Sequence, residues 1–194
     1  MARGEARGTL DYCILGLLQG RPLSGYDIKR IFDRTIDYIW NAGDSQIYAC
    51  LKRLHAEGLV AAETVIQVGR PNKRLYRLTP AGEQALQRWL AERVPDRFAK
   101  NEFLVKLFFC GEAPPAVALA HLEQHRASVE AQLAHGRESL ARALRYRGSR
   151  QRALAFQLLA LEYMLAALEA DLAVTDRAIA RLREELARAA QDSA

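Results

Sequence analysis

The feature that most constrains the fold of this 194-residue chain is a long apolar repeat near its C-terminus. Its members stand alternately four and three residues apart, and one polar residue interrupts them: Leu154, Leu158, Leu161, Leu165, Leu168, Leu172, Thr175, Ile179, Leu182 and Leu186. An average spacing of 3.5 residues is the coiled-coil period. The repeat therefore predicts a helix over about 150–188 that needs a helical partner along about 45 Å.

Two partners are available for this apolar seam. One is the preceding segment, because Pro114-Pro115 opens a second long helical pattern that runs to about Tyr146. The other is a second copy of the chain, since a small helical half cannot easily cover so long a seam. We expect both kinds of packing, with a homodimer formed through Leu158, Leu161, Leu165, Leu168, Leu172, Ile179 and Leu182.

The first half of the chain alternates short amphipathic helices with chain breakers. Typical N-cap residues introduce four helical segments: Thr9, Ser24 with Asp27 in the capping-box position, Asp44 or Ser45, and Thr79 followed by Pro80. The third helix stops at Gly58, and two β-rich stretches, 59–67 and 73–78, then flank a turn and predict a hairpin. In the fourth helix, the residues expected to face inward are Ala85, Leu86, Trp89 and Leu90.

Three helices followed by a two-stranded hairpin is the element order of a winged helix-turn-helix. The sequence therefore predicts a mainly α protein with two domains. Residues 1–95 form a winged-helix DNA-binding domain with a two-stranded β-wing, and residues 96–194 form a helical dimerisation domain with a coiled-coil-like last helix.

The basic residues cluster around the third helix and the hairpin. The chain has a net charge of +5, and between residues 45 and 77 only Glu57 and Glu63 oppose six basic side chains: Lys52, Arg53, Arg70, Lys73, Arg74 and Arg77. A short basic segment in a nearly balanced chain indicates a surface that binds a polyanion. From charge alone, an ordinary solvated surface is an equal alternative.

The third helix has the two faces of a recognition helix. Ile47, Cys50, Leu51 and Leu54 form an apolar stripe, and the opposite face presents Ser45, Gln46, Tyr48, Ala49, Lys52 and Arg53. Residues near the N-terminus of such a helix approach base edges, where Gln can bond adenine and Tyr or Ala can touch a thymine methyl group. We expect Lys52 and Arg53 to reach phosphates, and the wing residues Arg70, Lys73 and Arg74 to hold the DNA backbone.

Other function classes find little support in the sequence. No run of about 18 apolar residues or signal-peptide core appears, which favours the cytoplasm and no membrane partner. The three cysteines are expected to be free thiols: Cys13, Cys50 and Cys110. His121 and His125 stand four apart but lack a third ligand. With no catalytic motif either, we predict no metal, no cofactor and no enzymatic activity.

The residues also resemble the PadR family of bacterial transcriptional regulators. The matching stretches lie between residues 9 and 92: Leu15-Gly16-Leu17-Leu18, Ser24-Gly25-Tyr26-Asp27-Ile28, Ile47-Tyr48, Leu51-Lys52-Arg53-Leu54, Glu57-Gly58-Leu59-Val60, Gly69-Arg70-Pro71 and Tyr76-Arg77-Leu78-Thr79-Pro80-Ala81-Gly82. Ala49 departs from the family, which usually has Pro after the Tyr. The long helical tail is similar to the larger, subfamily-1 members, which include phenolic-acid-responsive regulators.

The resemblance implies a homodimer, usually a repressor and less often an activator, on a pseudo-palindromic operator in double-stranded DNA. It also implies a small aromatic effector that binds between the two halves and releases the DNA. The aromatic candidates for its pocket, for each of which core packing is the favoured alternative, are Tyr38, Trp40, Trp89, Phe98, Phe103, Phe108 and Tyr163. The rivals are a protein-interaction module without specific DNA binding and, less favoured, a helical enzyme.

Overall fold

The computed structural model describes residues 8–36, 39–40, 42–66, 72–94, 101–145 and 151–192. In chain order the elements are α1 (Thr9–Leu17), β1 (Leu23–Ser24), α2 (Gly25–Thr35), α3 (Asp44–Ala56), β2 (Val60–Val65), β3 (Lys73–Leu78), α4 (Pro80–Ala91), α5 (Glu102–Phe109), a 3-10 turn (Cys110–Glu112), α6 (Pro115–Leu144) and α7 (Gln151–Asp192). This mainly helical architecture with a winged helix-turn-helix confirms the predicted fold class. The chain divides into two compact units, Met1–Pro95 and Asp96–Ala194.

Local capping chemistry sets the starts of the N-terminal helices. The Ser24 hydroxyl oxygen accepts the backbone N–H of Asp27 at 3.1 Å, and the Asp27 carboxylate accepts the Ser24 N–H in return. Thr79 caps α4 in the same way, with Pro80 at its first position. At α1 and α3 the cap lies one residue or more earlier than predicted, at Gly8 and Gly43, where extended backbone precedes the first turn.

The sheet has three antiparallel strands in the order β1-β3-β2. Strand β3 pairs with β2 in the register Val60 to Leu78 and Val65 to Lys73, so these two strands form the predicted hairpin. Strand β1 pairs Leu23 with Tyr76 on the other edge of β3. This third strand was not predicted, because two residues carry no periodic pattern.

One apolar core holds α1, α2, α3, the sheet and α4 together. Its fully buried side chains include Ile14, Leu15, Ile28, Phe32, Ile47, Leu51, Leu54 and Val60. The α4 residues Ala85 and Leu86 join this core, and Trp89 packs at its margin. Leu90 is 60% exposed, so the prediction that it faces inward is wrong. The inward face of α4 therefore covers a narrower arc than its apolar residues suggest.

A close backbone contact fixes α4 beside the end of α3. Gly58 adopts a φ of 71°, which turns the chain from α3 into β2. The Thr79 N–H donates to the Leu59 carbonyl oxygen at 3.1 Å. A Cβ on Gly82 would lie 2.1 Å from the same carbonyl oxygen, so only glycine fits at that position. This junction sets how α4 packs against the start of β2.

Unit 2 is built on a helical hairpin. Leu165 of α7 packs in a buried cluster with Val129 and Leu133 of α6. Charged side chains pair across the two helices at Arg183–Glu123, Arg126–Asp176 and Arg137–Glu169. Residue numbers that rise on one helix fall on the other, so the helices run antiparallel. Packing of the seam against the preceding helix, one of the two predicted arrangements, is therefore present within the chain.

Part of the solvent-exposed surface of α7 is apolar. Its large exposed side chains are Phe156, Leu159, Tyr163 and Val174. The segment Arg152–Arg188 contains an 18-residue window of mean hydropathy 1.5, of which 11% is buried, and by length and composition alone it meets the criterion for a membrane-spanning helix. Counting consecutive apolar residues missed this property. Exposed apolar surfaces of this kind are typical of interaction sites.

Candidate nucleic-acid interface

Helix α3 has one buried face and one exposed face, as its sequence predicts. Ile47, Cys50, Leu51 and Leu54 are buried in the core. The six residues predicted to face DNA are all exposed: Ser45, Gln46, Tyr48, Ala49, Lys52 and Arg53. The apolar stripe therefore anchors the helix, and one continuous polar face remains available.

One of these polar side chains, Gln46, also caps the start of the helix. The Gln46 side-chain oxygen accepts the backbone N–H of Gly43 at 3.0 Å. This bond satisfies one of the N–H groups left open at a helix N-terminus. Gln46 is therefore turned back toward the start of α3, and contact with a base requires it to release this bond or to use its amide nitrogen.

Tyr48 lies against the first turn of α2. A Cβ built on Gly25 would stand 2.3 Å from a ring carbon of Tyr48, so the ring occupies space that any other residue at position 25 would fill. Tyr48 remains 49% exposed. Gly25 thereby positions a side chain of α3, a role that the local sequence motif alone did not reveal.

The base of the wing is joined to α2 by an ion pair. Lys73, the first residue of β3, places its Nζ 2.8 Å from Oδ2 of Asp27. The Ser24 hydroxyl donates to the same carboxylate oxygen at 2.6 Å, and Nη2 of Arg30 lies 3.4 Å from Oδ1. The hydrogen bonds from Lys73 and then from Ser24 lower the pKa of Asp27 to about 2.

Arg74, unlike Lys73, does not pair with Asp27. Its guanidinium lies over the Tyr76 ring, 5.5 Å from the ring centre, and the side chain is exposed. Among the residues that the structure describes, neither Arg74 nor Lys52 makes an ion pair. The predicted wing residue Arg70 lies outside the described residues. Lys52 and Arg74 are therefore the available cations of this surface.

These side chains surround one open pocket between α2, α3 and β3. Its volume is about 460 Å³, and the lining residues are Ser24, Gly25, Tyr26, Tyr48, Asn72, Lys73, Arg74 and Tyr76. Tyrosine hydroxyls and basic groups both suit contacts to phosphate and sugar oxygens. Ser24, Gly25, Tyr26 and Tyr76 were not among the predicted site residues. Their nearness to α3 and the wing arises from the tertiary fold.

A buried carboxylate holds the middle of α3. Asp11 of α1 is 1% exposed, and its Oδ1 accepts the Cys50 thiol at 2.7 Å and also pairs with Nη2 of Arg53. Burial, followed by the neighbouring Asp11, raises the pKa of the Cys50 thiol, so this cysteine stays protonated. Arg53 is half exposed, but one side of its guanidinium is committed to Asp11.

The structure distributes the predicted aromatic residues over both units. In unit 1, Trp89 stacks on Tyr12 with ring centres 4.5 Å apart, which is the core-packing alternative, and Trp40 is partly exposed. In unit 2, Phe103 stacks on His125 at 4.0 Å. Phe108 and Tyr163 are more than four-fifths exposed. Tyr38 and Phe98 lie outside the described residues.

His121 and His125, the two histidines considered for metal binding, do not belong to a cluster of metal ligands in the described residues. Nε2 of His125 lies 3.0 Å from a carboxylate oxygen of Asp171, in a cross-helix pair that also involves the buried Thr175. Within the described ranges, no group of three or more His, Cys, Asp or Glu side chains could hold a metal ion. His125 thus joins α6 to α7 and supports Phe103 of α5.

Of the seven seam residues predicted to form the dimer, five are packed or buried within the chain. Leu165, Leu168 and Leu172 belong to the cluster shared with α6. Leu161 and Ile179 are also buried, whereas Leu158 and Leu182 are half-buried. The side chains that remain fully accessible on α7 lie next to this seam rather than on it.

Comparison with known proteins gives a match for each half of the chain. Residues 14–88 match the model of the transcriptional regulator PadR-like family. Over these residues the chain is similar to the PadR-like family. A second family model, the C-terminal part of virulence activator alpha, matches residues 99–183 of this chain. The two matches fall on different units.

Curated relatives of this chain are transcriptional regulators by name. It is 43% identical over 102 residues to the negative transcriptional regulator PadR of Bacillus subtilis, covering 52% of this chain and 56% of the relative. It is 42% identical over 84 residues to a probable transcriptional regulator of Mycobacterium tuberculosis, covering 43% and 44%. The chain therefore spans about half the length of the curated relatives it matches.

Solved structures match over nearly the whole chain. Bacillus subtilis PadR in complex with operator DNA has a TM-score of 0.78 at 29% identity and covers 91% of this chain and 99% of that one. The Vibrio cholerae virulence activator AphA has a TM-score of 0.74 at 27% identity, with the same coverage. Bacillus subtilis PadR in complex with p-coumaric acid has a TM-score of 0.60 at 28% identity and covers 88% and 99%.

Proposed function

We propose that this chain is a DNA-binding transcriptional regulator that acts as a homodimeric repressor on a pseudo-palindromic operator. The observation that carries the proposal is the geometry of unit 1. An anchored helix presents a polar face beside a wing whose base is tied to α2, and the chain resembles a PadR solved on operator DNA. A recognition helix with an adjacent wing can fill the major groove while the wing holds the backbone.

The exposed residues divide by the kind of contact that they can make. Ser45, Gln46, Tyr48 and Ala49 lie in the first turns of α3, the part of a recognition helix that approaches base edges. Lys52 and Arg74 are unpaired within the described residues and suit phosphates, and we assign Arg70 the same role. Arg53 and Lys73 are held by the carboxylates of Asp11 and Asp27, so we assign them a smaller share of the phosphate contacts.

A second copy of the chain is the partner that we assign to α7. The exposed apolar side chains Phe156, Leu159 and Tyr163 follow helical spacing of three and four residues. They lie around the half-buried seam residue Leu158. Burial of this side in a dimer explains both its apolar composition and its exposure in a single chain. Two copies would present two recognition helices to the half-sites of a palindrome.

We also propose a small aromatic effector that releases the protein from DNA. The support is the likeness to a PadR solved with p-coumaric acid, together with the accessible aromatic residue Phe108. A regulator of this kind works in the cytoplasm and catalyses no reaction. With p-coumaric acid as the probe, a raised melting temperature together with loss of DNA binding identifies such an effector.

The deciding experiment is selection of DNA by the purified full chain from a pool of random duplexes. We expect an inverted repeat to be enriched and to bind about a thousandfold more tightly than a scrambled duplex of the same composition. Gln46→Ala should weaken binding of the enriched duplex more than of the scrambled one, whereas Arg74→Ala should weaken both. If no sequence is enriched, the regulator is excluded and a protein-interaction module becomes the better account.

A further inference from the structure

A carboxylate lies beside the pocket of basic and tyrosine side chains on the proposed DNA-binding surface. Asp27 borders the pocket through two of its lining residues, Ser24 and Lys73. A negative charge at that place opposes DNA phosphates. Its presence on this surface is explained only in part by its role in the capping box of α2.

Donors from both α2 and the wing hold this carboxylate in place. The hydroxyl and the backbone N–H of Ser24 and the ammonium of Lys73 reach Oδ2, while Arg30 reaches Oδ1. The Asp27 side chain is 17% exposed and that of Lys73 is 39% exposed. A half-buried, multiply bonded ion pair is screened less by solvent than a surface pair. Lys73 is therefore held at the base of the wing.

We propose that Asp27 is a specificity-determining residue, which restrains Lys73 and so limits the attraction of the protein to DNA of any sequence. This inference rests on the proposed DNA-binding function. Non-specific binding comes from cations that replace the counterions of phosphates. An ammonium that already neutralises a carboxylate does not replace the counterion of a phosphate. The base contacts of α3 remain unaffected.

The test compares Asp27→Asn with the wild type on a random-sequence duplex of 30 base pairs, in a salt titration read by fluorescence anisotropy. The amide keeps an oxygen for the Ser24 N–H and releases Lys73. We expect the slope of log affinity against log salt to steepen by about 0.9, and affinity at 0.1 M salt to rise up to roughly eightfold. Affinity for the enriched duplex should rise less, so the ratio between the two duplexes falls.

Two controls tie the effect to Lys73. Asp33→Asn on the same helix α2 changes the net charge equally, but its carboxylate pairs with Lys29 instead of the wing, so its salt slope should shift less. The double variant Asp27→Asn with Lys73→Gln should return to the wild-type slope. An equal shift in Asp33→Asn would reduce the effect to net charge and overturn the proposal.

A measurement that leaves Asp27 in place covers the case in which Asp27→Asn fails to fold. Lys73→Gln should leave the salt slope of the otherwise native protein almost unchanged, whereas Arg74→Gln should flatten it by about 0.9. Equal flattening by both would mean that Lys73 leaves Asp27 to contact phosphate, and the proposal would be wrong. Absence of any DNA binding by the wild type would instead reject the proposed function itself.

Discussion

At the residue scale, two acidic side chains decide how the basic groups of the proposed DNA-binding surface behave. Asp11 holds Arg53 from inside the core, and Asp27 holds Lys73 at the wing. Sequence position alone gave Lys52, Arg53, Lys73 and Arg74 similar roles. The structure divides them into two that are fixed by carboxylates and two, Lys52 and Arg74, that pair with no acidic group in the described chain.

Gly25→Ala should disturb DNA binding through Tyr48. The new Cβ would stand 2.3 Å from the tyrosine ring, which must move because the backbone of α2 cannot. We expect affinity for the enriched duplex to fall about tenfold, the effect of one lost base contact, with little change in melting temperature because Tyr48 is half exposed. Anisotropy titration and thermal melting measure the two quantities.

A double-mutant cycle provides the control for this prediction. If Gly25 acts by positioning Tyr48, the variant with both Gly25→Ala and Tyr48→Ala binds no more weakly than Tyr48→Ala alone. Additive losses would show that Gly25 acts on DNA binding by another route.

At the scale of elements, the sequence predicted what local chemistry decides. Ser24 with Asp27, and Thr79 with Pro80, start helices because each cap is complete within four residues. The pairing of Lys73 with Asp27 could not be predicted, because 46 residues separate the partners and only the fold joins them. Strand β1 has two residues, and its pairing with β3 is equally a product of tertiary structure.

The junction of α4 with β2 gives a test at this scale. Gly82→Ala places a Cβ against the Leu59 carbonyl oxygen, so the backbone of one element must shift. We expect the free energy of unfolding to fall by about 2–4 kcal/mol in denaturant titration. Gly16→Ala in α1 is the matched control, since its Cβ meets open space and alanine favours a helix by up to about 1 kcal/mol. Equal effects of the two changes would contradict the assigned contact.

At the scale of the whole molecule, the heptad repeat correctly predicted a long last helix but left its partners open. The structure pairs Leu165 and its neighbours with α6, so a substitution on the seam first damages the hairpin. The exposed side of α7 was hidden from the sequence analysis, because the heptad count selected the seam and passed over Phe156, Leu159 and Tyr163. This side is where the dimer proposal is best tested.

Tyr163→Asp and Leu165→Asp should have different consequences although they are two residues apart. Tyr163 is 82% exposed, so a charge there should yield a folded monomer by breaking the proposed dimer. Leu165 is buried between α6 and α7, so a charge there should unfold the hairpin. Light scattering gives the mass and circular dichroism the helix content. A Tyr163→Asp protein that stays dimeric would place the interface elsewhere.

The ion pairs between α6 and α7 have a consequence for how fast the protein finds its target. They neutralise several arginines of the helical unit, where Asp96–Ala194 carries 14 basic and 13 acidic residues. Met1–Pro95 carries 14 basic and 10 acidic residues, so most of the net positive charge lies in the unit that holds α3. A chain whose positive charge is concentrated in one unit turns that unit toward a polyanion as it approaches, and its association rate, more than its dissociation rate, should depend on salt.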